Sequence, residues 1–225
     1  LGIIAHQQSS LQTALLTFTY PGKTILASVV IDECKKRKDF LTSYYYCHFD
    51  QADGNAMVRV LKRLVDQLLN QYPQLLPHCY TRRTNSGGPS LQSVDVAKRL
   101  LEDFCTAIPK LFIVVDGLDE YHATDRKQLL EYFMQLMRQC DDDEPAKLRV
   151  LIVSQDYPDI KRALYTSGIH RLAPKIITLS SSNNEKDIYI FVRAEVDRIK
   201  HKHHPLSDEQ VEYLLKLTVA KADGE

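Results

Sequence analysis

At 225 residues the chain is long enough for one large α/β domain, or for one domain and part of another. It is 44% hydrophobic and 26% charged, a globular balance, and Lys+Arg and Asp+Glu both total 29, so no net charge draws it to nucleic acid or a membrane surface. No apolar run is long enough to span a bilayer, and no secretory signal peptide is visible.

Ala14-Leu15-Leu16-Thr17-Phe18-Thr19 reads as a first strand, broken by Tyr20-Pro21-Gly22. Lys23 to about Asp39 is expected to be a helix with Ile25, Leu26, Val29 and Val30 on one face. The basic run Lys35-Lys36-Arg37-Lys38 falls at its C-terminal end, where cations suit the helix dipole. Ser43 to Phe49 is a second strand, its three tyrosines read as strand filling. Asn55 to Tyr72 carries Val58, Leu61, Leu64, Val65, Leu68 and Leu69 at helical spacing, and Pro73 and Pro77 stop it. Residues 81–90 are polar and loop-like, and Val94 to Ile108 is the next helix.

Leu111-Phe112-Ile113-Val114-Val115 then runs straight into Asp116-Gly117-Leu118-Asp119-Glu120. Such a run without alternation is the mark of a strand buried on both faces, as in a parallel sheet covered by helices. Ligands of such sheets bind at the carboxyl ends of strands, and here that end carries Asp116, Asp119 and Glu120. One carboxylate there suits a hydrated Mg2+ and a second suits water activation.

Asp125 to Arg138 is a further helix, followed by Asp141-Asp142-Asp143-Glu144 as a solvated loop. Those four acids lack the alternating ligands and turn glycine of a calcium loop. Leu148 to Ser154 is another buried strand, and Lys175 to Leu179 a short last one. Glu185 to about His201 and Ser207 to Ala222 are helical, the second opening on a Ser207/Gln210 capping box. Strand and helix thus alternate over 14–179, which predicts an α/β fold with a parallel sheet between helical layers.

A buried strand, a glycine-containing break, Lys-Thr and a helix make a phosphate cradle. Backbone N–H groups wrap the phosphates, lysine neutralises charge and threonine ligates Mg2+. Pro21-Gly22-Lys23-Thr24 supplies the end of that motif. In order along the chain, Pro21 to Ser28, the Tyr44–Phe49 strand, Phe112 to Glu120 and Val150 to Ile160 together resemble a NACHT-type STAND P-loop NTPase. This is the nephrocystin-like nucleotide-binding module of fungal NOD-like proteins, and the resemblance covers nearly everything after residue 11.

The resemblance implies a three-layer αβα core over residues 1–180, with a mainly parallel five-stranded sheet, and over 181–225 the start of a helical appendage cut short. It implies Mg2+ with ATP or GTP. Pro21, Gly22, Lys23 and Thr24 would bind phosphate with Gln155 as a further nucleotide contact, Thr24 and Asp116 would hold the metal, and Asp119 and Glu120 would position or activate water. It further implies a signalling switch in the cytoplasm that self-associates and belongs to a longer protein with effector and sensor domains elsewhere.

Two positions depart from the family pattern. Thr17 stands where GxxxxGK[ST] has its first glycine, so the loop is two residues short and weak nucleotide binding, or none, is expected. Gln155 stands where the family has an arginine that senses the γ-phosphate, so slow hydrolysis is expected. The alternative is a nucleotide-incompetent scaffold of the same fold. Cys34, Cys47, Cys79, Cys105 and Cys140 are dispersed, as reduced cytosolic thiols are. His201-Lys202-His203-His204 is read as a solvated inter-helix loop, not a metal site.

Overall fold

Short apolar runs become strands and the 3.6-residue patterns become helices, alternating along the chain. The computed structural model describes residues 13–18, 23–49, 56–80, 93–166, 175–179, 189, 190, 193 and 207–221. In chain order the elements are β1 (Thr13–Phe18), α1 (Lys23–Lys35), β2 (Leu41–Tyr46), α2 (Ala56–Gln71), α3 (Val94–Ala107), β3 (Leu111–Asp116), α4 (Ala123–Asp143), β4 (Leu148–Gln155), α5 (Pro158–Thr166), β5 (Lys175–Leu179) and α6 (Asp208–Lys221). A 3-10 turn, Leu118–Glu120, separates β3 from α4.

β2, β3 and β4 pair in parallel, with Leu41 opposite Leu111 and Leu111 opposite Leu148 at one end, and Tyr46 opposite Asp116 and Asp116 opposite Val153 at the other. The strand order is β2-β3-β4-β1-β5. Both faces of β3 and β4 are buried, which explains their unbroken apolar runs. Leu111, Ile113 and Val115 join Val150 and Ile152 in the larger core with Leu61, Leu64 and Leu68 of α2, Phe104 of α3 and Phe133 of α4. Val114, Leu151 and Val153 point the other way, where Ala27, Val30 and Ile31 of α1 are buried. A helix-covered sheet of α/β type results.

The outer edge of β2 is closed by side chains. Gln67 of α2 donates to the Tyr44 carbonyl (2.7 Å) and accepts from the Tyr44 amide (3.1 Å). One turn further on, Gln71 does the same to Thr42, at 2.8 and 3.4 Å. The i, i+4 spacing of the helix matches the i, i+2 spacing of one strand edge, and the two amides replace a missing neighbour strand.

Several elements differ from the sequence expectation. α1 stops at Lys35, and its inward face is Ala27, Val30 and Ile31 while Ile25 is 73% exposed. Its sequence is apolar nearly all round, so periodicity could not select the face. β2 spans Leu41–Tyr46, and Phe49 lies beyond it, exposed. α4 continues to Asp143, so Asp141–Asp143 form a last helical turn where a loop was expected. That turn closes on Ala146, whose amide donates to Asp141 Oδ1 (3.1 Å) and whose φ is +62°. α5 was not anticipated, although Pro158 at its first position and Asp159 in its first turn are ordinary start signals.

The chain divides into two compact units, Leu1–Thr17 with Gly22–Ile177, and Phe18–Pro21 with Thr178–Glu225. In the second, the α6 capping box is present: the Ser207 amide donates to Gln210 Oε1 (3.0 Å) and the Gln210 amide to Ser207 Oγ (3.2 Å). Residues 81–90, 185–188 and 201–204, where a loop, a helix start and a histidine run were expected, lie outside the described residues. Among the described residues no helix is long and apolar enough to cross a membrane.

Candidate functional site

β3 ends at Asp116 because Gly117 turns the chain there. Gly117 has φ +73°, and a Cβ on it would stand 3.2 Å from the Cys47 carbonyl oxygen, so both backbone and space require glycine. The strand end is fastened on both sides: the Cys47 amide donates to the Asp116 carbonyl (2.8 Å), and the Gly117 amide donates to the Val153 carbonyl (3.0 Å). The carboxylates that follow are therefore presented from a fixed frame.

Asp116 is 3% exposed. Its carboxylate is hydrogen-bonded by the Thr24 hydroxyl, while Oδ1 is buried without a hydrogen-bond partner among the described residues. Burial raises its carboxyl above the usual carboxylate range; the Thr24 bond and the Lys23 charge pull it back, and Asp119 adds to the rise. Lys23, the first residue of α1, reaches across to Asp119 Oδ2 at 2.6 Å, with side-chain exposures of 16% and 5%. The other oxygen, Asp119 Oδ1, accepts from the Gln155 amide at 3.0 Å. Asp119 thus bridges the start of α1 and the end of β4.

Lys23, Thr24, Asp116, Asp119 and Gln155 come together at the carboxyl ends of β3 and β4. Gln155 meets the group through its backbone amide, and its residue surface is exposed. Glu120 is exposed in the same turn. Pro21 and Gly22 lie outside the described residues. Sequence reading passed over Arg126. Its guanidinium donates to the carbonyls of Asp119 (3.3 Å) and Tyr121 (3.0 Å) and to the Asp159 carboxylate (2.9 and 2.8 Å), and it lies over the Tyr157 ring at 4.7 Å. Nothing in the spacing of a lone arginine on an amphipathic helix signals such a role.

The donor set fits a hard cation. A threonine hydroxyl and a buried carboxylate with an unsatisfied oxygen are ligands that Mg2+ takes, and leaving that oxygen bare is costly. No group of three or more His, Cys, Asp or Glu that could hold a metal ion occurs among the described residues, so water and phosphate would have to complete the shell.

Comparison with known proteins bears on what such a site belongs to. The family described as Nephrocystin 3, N-terminal, matches residues 9–155, well over half the chain. The vegetative incompatibility protein HET-E-1 of Podospora anserina is 28% identical over 81% of this chain, which spans only 13% of that protein's length. Among solved structures, the Aeropyrum pernix ORC1 protein in complex with DNA has a TM-score of 0.49 at 12% identity, covering 96% of this chain and 61% of that one. The ORC2 protein of the same organism, in ADPNP–ADP complexes, has a TM-score of 0.47 at 13% identity, covering 93% and 62%. With its acidic strand end and the lysine that meets it, the chain belongs to the nephrocystin 3 N-terminal family and is a NACHT-type P-loop module.

Proposed function

We propose that the module binds a Mg2+–nucleoside triphosphate, ATP or GTP, at the carboxyl ends of β3 and β4 and acts as the switch of a longer signalling protein. The observation that carries this reading is the meeting of Lys23 with Asp119 beside Asp116, Thr24 and the Gln155 amide, brought from three distant parts of the chain. Lys23 is held at the N-terminus of a helix, where its charge and the helix amides favour a phosphate. In this structure its ammonium already carries an anionic partner, so a phosphate enters by taking Asp119's place. Asp119, released from Lys23, stays anchored by the Gln155 amide and joins the exposed Glu120 in orienting water. Thr24 and Asp116 would hold Mg2+, which would supply positive charge against the charge that develops on the phosphate.

The shortened loop ahead of Lys23, with Thr17 in place of a glycine and Pro21 without an amide, argues for weak binding. Gln155 in place of a sensing arginine argues for slow hydrolysis. The fold reading that accompanies this function is a five-stranded, mainly parallel sheet over residues 1–180, then a helical subdomain over 181–225. Self-association, a cytoplasmic setting and effector and sensor domains elsewhere complete the proposal, in keeping with a chain that matches a small part of an incompatibility protein. The alternative reading, a scaffold that no longer binds nucleotide, is favoured by Lys23 being already paired.

A titration with fluorescent ATP and GTP analogues, with and without Mg2+, tests the two. The nucleotide reading expects Mg2+-dependent saturation that Lys23→Ala removes in a protein still cooperatively folded by thermal melting. No saturation in the intact chain, or saturation indifferent to Lys23, hands the case to the scaffold.

A further inference from the structure

Asp119 is gripped at two places. Its carboxylate is shared between Lys23 and the Gln155 amide, and its carbonyl accepts from Arg126. Arg126 lies on the first turns of α4 with a side chain 12% exposed, and its five contacts divide into two sets. One set belongs to the turn after β3: the carbonyls of Asp119 and Tyr121, at its middle and just past its end. The other belongs to the segment after β4: the Asp159 carboxylate, taken by both Nε and Nη2, and the Tyr157 ring.

We infer that Arg126 is the positioning residue of this site, holding Asp119 against Lys23 and the Gln155 amide by tying the β3 turn to the start of α5. The contacts close a circuit. Asp119 bonds Gln155; Gln155 leads within the chain to Tyr157 and Asp159; these hold Arg126, which returns to Asp119. Opening the circuit at Arg126 or Asp159 unties the β3 turn from the start of α5 and loosens the bond between the Asp119 carboxylate and the Gln155 amide. Only a planar guanidinium serves, because carbonyls, carboxylate and ring are met in different directions from one flat group. A lysine ammonium keeps the charge but loses the fork and the stacking. The functional consequence rests on the nucleotide reading: the same hold sets where Asp119 stands when phosphate displaces it from Lys23.

The test is amide hydrogen exchange followed residue by residue in the intact chain and in Arg126→Lys and Asp159→Asn. The Gln155 amide reports directly on the Asp119 carboxylate, and the Ile113 and Val114 amides of β3 report on global stability. Exchange at Gln155 is expected to quicken more than about tenfold in both variants while Ile113 and Val114 stay within about twofold. Unchanged protection at Gln155, or acceleration of all three amides together, overturns the inference and leaves Arg126 as a structural stitch. Should Arg126→Lys fail to fold, Asp159→Asn, which removes a charge at constant size, carries the test alone. Titrating the same samples with a fluorescent Mg2+–nucleotide separates the two readings. If the parent chain binds none, the nucleotide reading falls and the exchange rates still decide what Arg126 does.

Discussion

At Asp116 a carboxylate is buried to 3% exposure with one oxygen lacking a hydrogen-bond partner among the described residues. Burial lifts its carboxyl above the unfolded value, so the folded state holds that proton more tightly than the unfolded chain does. The resulting cost to stability is absent below the unfolded carboxylate value, near about pH 4, and fully present once pH passes the raised folded value. Asp116→Asn is therefore expected to melt higher than the parent at neutral pH without Mg2+, with the gain closing as pH falls toward about 4. Melting curves across that range check it; a gain independent of pH, or a loss, contradicts it. The same variant is expected to lose Mg2+-dependent nucleotide binding, since the oxygen that costs stability is the one a cation would use. Next to it, Gly117→Ala forces an L side chain to φ +73° against the Cys47 carbonyl. A loss of at least about 1–2 kcal/mol in urea unfolding is expected. These residues were legible in the sequence because the strand end is contiguous, whereas Arg126 was not, since its partners are set by folding alone.

Elements were legible in proportion to how one-sided their surroundings are. α2 and α3 each bury one stripe against one core, and their ranges follow the sequence pattern within a residue or so. β3 and β4 are buried on both faces and show it as unbroken apolar runs. α1 escaped because its apolar residues surround the helix, leaving tertiary packing to choose Ala27, Val30 and Ile31. α4 outran its expected end because Asp141 finds a backbone partner in the Ala146 amide, a contact no periodicity encodes. β2 carries a testable liability. Gln67 satisfies both backbone groups of Tyr44, part-buried, and Gln67→Ala strands them. A loss of about 1–3 kcal/mol is expected in urea unfolding, with faster exchange at the Tyr44 amide. An unchanged Tyr44 amide would mean that water already serves that edge.

For the molecule as a whole, the proposed site has one part built at the ends of β3 and β4, and a second part expected from the phosphate motif that ends in Lys23. The first is described in full, from Asp116 to Gln155. The second was legible only as a departure from a motif, and Pro21 and Gly22 lie outside the described residues. Replacing Thr19–Pro21 with the longer glycine-rich loop of the family supplies the missing φ > 0 positions and amides. Nucleotide affinity is expected to rise by about tenfold or more, since each good charge-assisted bond to phosphate contributes about 1.5 kcal/mol or more. Titration of parent and repaired chain side by side measures it, and equal affinities would show that the short loop is no handicap.

The glutamine pair on α2 bears on what the edge of the sheet can meet. An open strand edge is a standing invitation to any other strand, in any copy, at any time. Gln67 and Gln71 answer the backbone groups of Thr42 and Tyr44 from within the chain, so that stretch of the edge is already paired. A strand from elsewhere could pair with β2 along Thr42–Tyr44 only by first displacing Gln67 and Gln71, so that stretch of the edge is shut to chance pairing.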